Sequence, residues 1–157
     1  MGCLSVSNEQ NAVLTTFVGS CVAASLYEPM AKIGGLAHVM LPDSGGRNSP
    51  TVGAEAKYAD HAIEKLWEKM MKLGAKKEYL SAKLVGGART FSDENGAAND
   101  SLFNIGDRNC SRLRSLLAAY KIPIVAEDVG STQGRWVKLY INSGSLTVKK
   151  RSEEVFL

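Results

Sequence analysis

Two residues of this chain have the types and spacing for nucleophilic chemistry. Cys21 stands in Val18-Gly19-Ser20-Cys21, and His38 follows seventeen positions later. A thiol becomes a strong nucleophile once a neighbouring base takes its proton, and imidazole is the usual base. Between them lie two apolar runs, Val22 to Tyr27 and Ile33 to Val39, joined through Glu28-Pro29-Met30-Ala31. The runs read as a β-hairpin, with Pro29 at the second position of a four-residue turn. Folding the ladder about that turn puts 28 opposite 31, 27 opposite 32 and 21 opposite 38. Directly opposed residues point to one face, with Cβ atoms roughly 4.5–5.5 Å apart. A bulge at Gly34-Gly35 would move the register by one and turn His38 away. Gly19-Ser20 allows a tight backbone approach, so N–H groups of Gly19, Ser20 and Cys21 are candidate donors to an oxyanion. A catalytic imidazole also needs an acceptor for its other nitrogen. Thr15, Thr16 and Asp43 are the nearby candidates, and spacing does not choose among them.

The remaining reactive side chains have plainer readings. His61, beside Asp60 and three residues before Glu64, reads as a solvated helix residue. Cys110 falls on the apolar face of a helix and reads as packing. Cys3 is close to the start and reads as a bystander. Glu127-Asp128 ends a strand, where an acidic pair either holds a cation, orients a histidine or serves as a turn. Val85-Gly86-Gly87-Ala88-Arg89 lacks the P-loop lysine, and no GxGxxG leads from a strand into a helix, so tight turns account for the glycines.

Three widely spaced cysteines, an odd number, argue against a disulfide framework and for a reducing compartment. With no CxxC and two histidines, a structural zinc site is not expected, nor is any cofactor. The net charge of +3 is too mild to indicate nucleic acid, and no basic run with interleaved aromatics is present. Met1-Gly2-Cys3-Leu4-Ser5-Val6 fails the myristoylation pattern at Val6. Neither a signal peptide nor a run of transmembrane length is expected.

The 157 residues, 45% hydrophobic and 22% charged, suit a single domain with a real core. Residues 1–10 are expected to be flexible and 151–157 to form a tail. Residues 12–18 read as a strand preceding the hairpin, and Pro42 to Pro50 as a turn-rich loop. Ala59, Ala62, Ile63, Leu66, Trp67, Met70 and Leu73 recur at helical spacing, and Gly74 ends that helix. Leu80 to Val85 is a strand, Ser92 to Ser101 a surface loop. Asn104 can cap a second helix, with Cys110, Leu113, Leu116, Leu117 and Tyr120 on one face. Ile122 to Val129 is a strand start or edge because of Pro123. Arg135 to Asn142 alternates cleanly, and Asn142-Ser143-Gly144 turns it into a strand carrying Leu146 and Val148. About eight strands, mostly in hairpins, with two long helices give an α+β fold of helices on sheet, not a doubly wound one.

Taken together, six segments resemble the chemoreceptor glutamine deamidase family, CheD. They are Val18-Gly19-Ser20-Cys21-Val22-Ala23, Gly35-Leu36-Ala37-His38-Val39-Met40-Leu41-Pro42-Asp43-Ser44, Lys57-Tyr58-Ala59-Asp60, Lys83-Leu84-Val85-Gly86-Gly87-Ala88, Asn104-Ile105-Gly106-Asp107-Arg108-Asn109 and Ala126-Glu127-Asp128-Val129-Gly130. Their order is the family's, and they span nearly the whole chain. The resemblance implies a three-layer α/β/β sandwich with mixed sheets, related to the cysteine hydrolase core of deamidating toxins. It implies a Cys-His-Thr triad of Cys21, His38 and, six residues before the cysteine, Thr15. It implies hydrolysis of glutamine side chains on the cytoplasmic helices of chemotaxis receptors to glutamate and ammonia. Hydrolysis of receptor glutamate methyl esters and regulation by the phosphatase CheC come with the family, as does a cytoplasmic location at membrane-bound receptors without insertion. The chain departs from the family where Ser131 replaces a second glycine, and in longer loops around Ser49 to Glu55 and Ser92 to Ser101. The competing reading is a binding module that docks on CheC or receptors with a vestigial site.

Overall fold

The computed structural model describes residues 1–47, 53–89, 104–151 and 153–157. The Ser92 to Ser101 loop and residues 49–52 lie outside them. Nine strands and two long helices are present among the described residues: β1 (Leu4–Ser7), β2 (Val13–Val18), β3 (Val22–Glu28), β4 (Ile33–Val39), α1 (Ala59–Lys72), β5 (Ser81–Gly86), α2 (Ile105–Ala119), β6 (Ile124–Val129), β7 (Arg135–Tyr140), β8 (Leu146–Lys150) and β9 (Glu153–Phe156). One sheet has the order β1-β4-β3-β5-β6 and the other β2-β7-β8-β9. Among the described strands only β5 and β6 pair in parallel; the other ladders are antiparallel. Pro123 immediately precedes β6, which is an edge strand, as a residue without an N–H requires.

The layers follow from alternation along the central strands. In β4, Ala37 and Val39 face the helices, and Leu36 faces the second sheet. One core lies between helices and first sheet, where Val22, Ala24, Leu26 and Leu84 meet Ile63, Leu66, Met70, Leu113 and Leu117. The other lies between the sheets, where Ala23, Leu36 and Val85 meet Val18, Val137, Leu139, Ile141 and Val148. Each fully buried side chain of this size contributes roughly 1.5–3 kcal/mol. The expected α/β/β sandwich is therefore present. Gly34 and Gly35 are not a bulge but a thin place in the middle layer. A Cβ on Gly34 would lie 2.6 Å from Ile141 of the second sheet, and one on Gly35 2.7 Å from Leu66 of α1.

Three expectations need correction. The hairpin register is two residues off: Glu28 pairs with Ile33, and His38 with Ala23 rather than Cys21. The connection is Pro29-Met30-Ala31-Lys32, with Lys32 in the left-handed region at φ 52. The Glu28 carboxylate holds that turn, accepting from the N–H groups of Met30 (3.1 Å) and Ala31 (2.7 Å). The first ten residues include a strand, since β1 pairs with β4 from Leu4↔Ala37 to Ser7↔Gly34. The expected tail likewise contains β9, and Leu157 is tied back through its N–H to Leu146 (2.8 Å) and its carbonyl to Lys83 Nζ (2.7 Å).

Candidate active site

Cys21 directly precedes β3 and is half-buried at the end of the connection from β2. The two-residue register change is even, so it leaves His38 on the face Cys21 occupies. The pair are diagonal neighbours, where long side chains still reach at roughly 7–8 Å between backbones. His38 is 6% exposed and points into the layer between the sheets. Its Nδ1 lies 2.9 Å from Thr16 Oγ1 on β2. Its Nε2 is buried and has no hydrogen-bond partner. An unpaired buried ring nitrogen is costly unless something arrives to use it.

The family spacing points to Thr15, and here the structure overturns the expectation. Leu14, Thr16 and Val18 of β2 turn inward, while Val13, Thr15 and Phe17 are exposed on the outer face. Thr16 is the hydroxyl that meets the imidazole. Asp43, the third sequence candidate, is engaged elsewhere, 2.8 Å from Arg112 of α2. The backbone of His38 is held from the opposite side: its N–H donates to the carbonyl of Cys3 at 2.9 Å. Cys3 is thus a structural neighbour of the site, not a bystander.

Burial sets the electrostatics of the pair. It pushes the Cys21 thiol above its ordinary range, against a smaller pull from its own backbone N–H. It pushes the His38 imidazole below its ordinary value. Both groups are therefore neutral at rest near pH 7. The arrangement suits a base that takes the thiol proton as the sulfur attacks, rather than a standing thiolate–imidazolium pair.

The glycine turn after β5 carries Cys21. Gly87 donates its N–H to the Cys21 carbonyl and Ala88 to that of Gly19, both at 2.8 Å. Gly86 has φ +118, and a Cβ there would sit 2.4 Å from the Cys21 carbonyl oxygen. The carbonyls of Gly19 and Cys21 being tied back in this way fixes the segment whose N–H groups are the candidate oxyanion donors.

Arg135 locks the turn in its place. Its side chain is 1% exposed. Nη1 donates to Gly86 O (3.2 Å), Nη2 to Gly130 O (2.7 Å), and Asp128 Oδ1 lies 3.2 Å from Nη2. Gly130 N–H also donates to Gly86 O at 2.8 Å. The acidic strand end is paired with basic side chains: Asp128 with Arg135 and Lys150, and Glu127 with Arg114. Ser131 adopts φ 66, the left-handed conformation that explains a glycine at this place.

The segment beyond β4 is fastened to both helices. Ser44 donates through Oγ to Asp60 Oδ2 at 2.6 Å, and its N–H also points at that carboxylate. Burial alone would raise the Asp60 carboxyl, but these bonds and the His61 N–H hold it below its ordinary value. Asn109 of α2, fully buried, donates from Nδ2 to Met40 O at 3.0 Å. The sequence assigns Arg135 and Asn109 no role, because Gly86 and Met40, which they hold, lie 49 and 69 residues away. Cys110 is core, as expected. His61 is less solvated than expected, edge-on to Tyr58 at 5.8 Å with its Nδ1 buried.

The chain is similar to known proteins over most of its length. Residues 40–150 match the sequence model of the family described as CheD chemotactic sensory transduction. The chain is 43% identical over 141 residues to the probable chemoreceptor glutamine deamidase CheD of Archaeoglobus fulgidus, covering 89% of this chain and 85% of that one. It is 39% identical over 150 residues to the chemoreceptor glutamine deamidase CheD of Thermotoga maritima, covering 96% and 88%. It is 38% identical over 153 residues to the probable enzyme of that name from Methanococcus vannielii, covering 98% and 94%, a span too long to leave out Cys21 or His38.

Proposed function

Since the chain belongs to the CheD family, we propose that it is a cysteine hydrolase converting selected glutamine side chains of chemoreceptors to glutamate. The observation that carries this reading is His38: Thr16 takes one ring nitrogen, and the other is free on the face that Cys21 shares.

The chemistry runs in two halves. Thr16 Oγ accepts from Nδ1–H, leaving the Nε2 lone pair as base. The Cys21 sulfur attacks the carboxamide carbon while its proton passes to Nε2. N–H groups of Gly19, Ser20 and Cys21 meet the oxyanion, each such donor being worth roughly 2.7–4 kcal/mol in comparable sites. The imidazolium then protonates the departing nitrogen, ammonia leaves and a thioester remains. Water gives a proton to Nε2 as its oxygen attacks the thioester. The sulfur departs, recovers that proton, and glutamate is released. One imidazole carries the protons of both halves, and the new carboxyl group gives its own proton to solvent.

The family resemblance extends the proposal to a single cytoplasmic domain of the deamidating-toxin core, acting on receptor helices, with a CheC-type phosphatase as regulator and receptor glutamate methyl esters as further substrates. Among the described residues no helix is long and apolar enough to cross a membrane.

The test is intact-mass analysis of a receptor cytoplasmic fragment incubated with the wild-type chain or with Cys21→Ala. The amide-to-acid mass gain is expected with the first and absent with the second. A gain that persists in the variant removes Cys21 from the mechanism.

A further inference from the structure

The outer face of the second sheet is unusually apolar for a surface. Phe17 is 49% exposed and Trp136 53%, and Val13 and Phe156 extend the same face at 41% and 74%. Phe17 and Trp136 are paired across β2 and β7, their centroids 5.3 Å apart and tilted by 58°. The Phe17 ring lies over Gly134, where a Cβ would come within 2.4 Å of it. Beside the rings is a cleft of about 540 Å³, lined also by Thr132, Gln133, Lys149 and Arg151. Lys149 faces Glu154 in the ladder, yet neither cation forms an ion pair among the described residues. Aromatic anchors with flanking cations, held rigid and half-exposed, are the composition of a protein-binding centre, not of an ordinary solvated sheet face.

The chain ties this face closely to the nucleophile. Phe17 is four residues before Cys21, so the two are no more than about 14 Å apart along the chain. The cleft's other wall, residues 132–134, continues from Gly130, which is bonded to Gly86 in the turn that carries Cys21. Cleft and nucleophile therefore hang on the same two segments. A lone carboxamide offers too little contact to bind with useful affinity, since association itself costs several kcal/mol. A protein substrate must gain its affinity from surface flanking the glutamine.

We propose that the Phe17–Trp136 face is where the substrate protein docks: the receptor surface around the target glutamine, meeting the rings with apolar side chains and Lys149 and Arg151 with carboxylates. The proposal rests on the deamidase reading above, and its test separates the two.

Binding of a purified receptor cytoplasmic fragment is measured by titration calorimetry in a Cys21→Ala background. Phe17→Ser with Trp136→Ser is expected to weaken binding about tenfold to a hundredfold, in the range of lost aromatic anchors. Lys149→Glu with Arg151→Glu is expected to weaken it and flatten its salt dependence. Met30→Ser, an exposed apolar residue at the hairpin tip, serves as control. Unchanged iodoacetamide reactivity of Cys21, in the cysteine-intact versions, shows that each variant keeps its fold. Equal affinity in the aromatic variant overturns the proposal, and so does a parent that fails to bind the fragment. Dimerisation lost with Trp136→Ser, at unchanged fragment affinity, gives the face to a second copy and also overturns it. If the aromatic variant loses binding while the wild-type chain leaves the fragment's mass unchanged, the docking surface stands and the deamidase reading falls.

Discussion

The hydroxyl of Thr16 stands 2.9 Å from Nδ1 of His38, and that contact joins the edge strand of one sheet to an inner strand of the other. It leaves Nε2 as the unpaired ring nitrogen. Thr16→Val keeps the shape and removes the acceptor, leaving the imidazole free to change tautomer. A neutral hydrogen bond of about 1.4 kcal/mol corresponds to a tenfold rate loss. Ammonia release at saturating receptor fragment is expected to fall by about that factor or more in Thr16→Val. Thr15→Val, on the outer face, is expected to change it less than twofold. The reverse ranking would restore Thr15 to the triad.

The choice between these threonines shows where the sequence stops being legible. Alternation along β2 normally separates an apolar inner face from a polar outer one. Here Leu14 and Val18 face inward, but Val13 and Phe17 are apolar and exposed, so parity carries no signal. The surface that we assign to docking is what hides the orientation of Thr16. The observed register differs from the expected one by two residues, Ala31 and Lys32, both on the second side of the turn, and an even shift moves the partner along the face, not off it. The helices were legible from periodicity and the Gly74 stop. β1 and β9 are four residues each, too short for the alternation of Leu4 and Val6 to stand out, and they are held by pairing with β4 and β8. The Arg135 network joins positions up to 49 apart in sequence, which no local pattern encodes.

Burial lowers the His38 pKa and raises that of Cys21, and the signs lead to two pH measurements. The base must be neutral, so the acid limb of kcat/KM is expected below the unperturbed imidazole value of about 6.5. Iodoacetamide labelling of Cys21 in the free chain is expected to rise only above the ordinary thiol range. Stability follows the same imidazole. Between the folded and unfolded pKa values of His38 the unfolded chain binds more protons. This contribution is present above about pH 6.5 and is lost as pH falls through the unfolded value towards the folded one. An acid limb above 6.5, or a Cys21 that alkylates as a thiolate at neutral pH, would require a standing ion pair.

Gly86 and Gly74 both have positive φ, +118 and +97, but different surroundings. Around Gly74 a Cβ meets nothing within 4 Å, whereas at Gly86 it meets the Cys21 carbonyl at 2.4 Å and Val18 at 2.9 Å. Gly74→Ala is expected to cost only the backbone strain, about 1–2 kcal/mol. Gly86→Ala adds a backbone clash and is expected to cost about 2–5 kcal/mol, with loss of activity in the fraction that folds. Urea midpoints of the two variants provide the comparison. Equal losses would mean that the turn can shift away from Cys21 without consequence.

Arg135 is buried with three oxygen partners, two of them carbonyls that no other side chain reaches among the described hydrogen bonds. Arg135→Met leaves Gly130 O without that donor and Asp128 with Lys150 alone. Breaking a buried pair in this way typically costs about 3–5 kcal/mol. Arg135→Lys keeps the charge, but an ammonium cannot present the flat fork that spans Gly86 and Gly130 together. Lysine is therefore expected to recover part of the stability, read from the urea midpoint, but less of the activity, read as kcat for ammonia release. That split follows because the Gly86 carbonyl and the Gly87 N–H that holds Cys21 are two ends of one peptide group. If lysine restored both in equal measure, Arg135 would matter only as a buried charge opposite Asp128. If it restored stability alone, the fork would be what sets the glycine turn under the nucleophile.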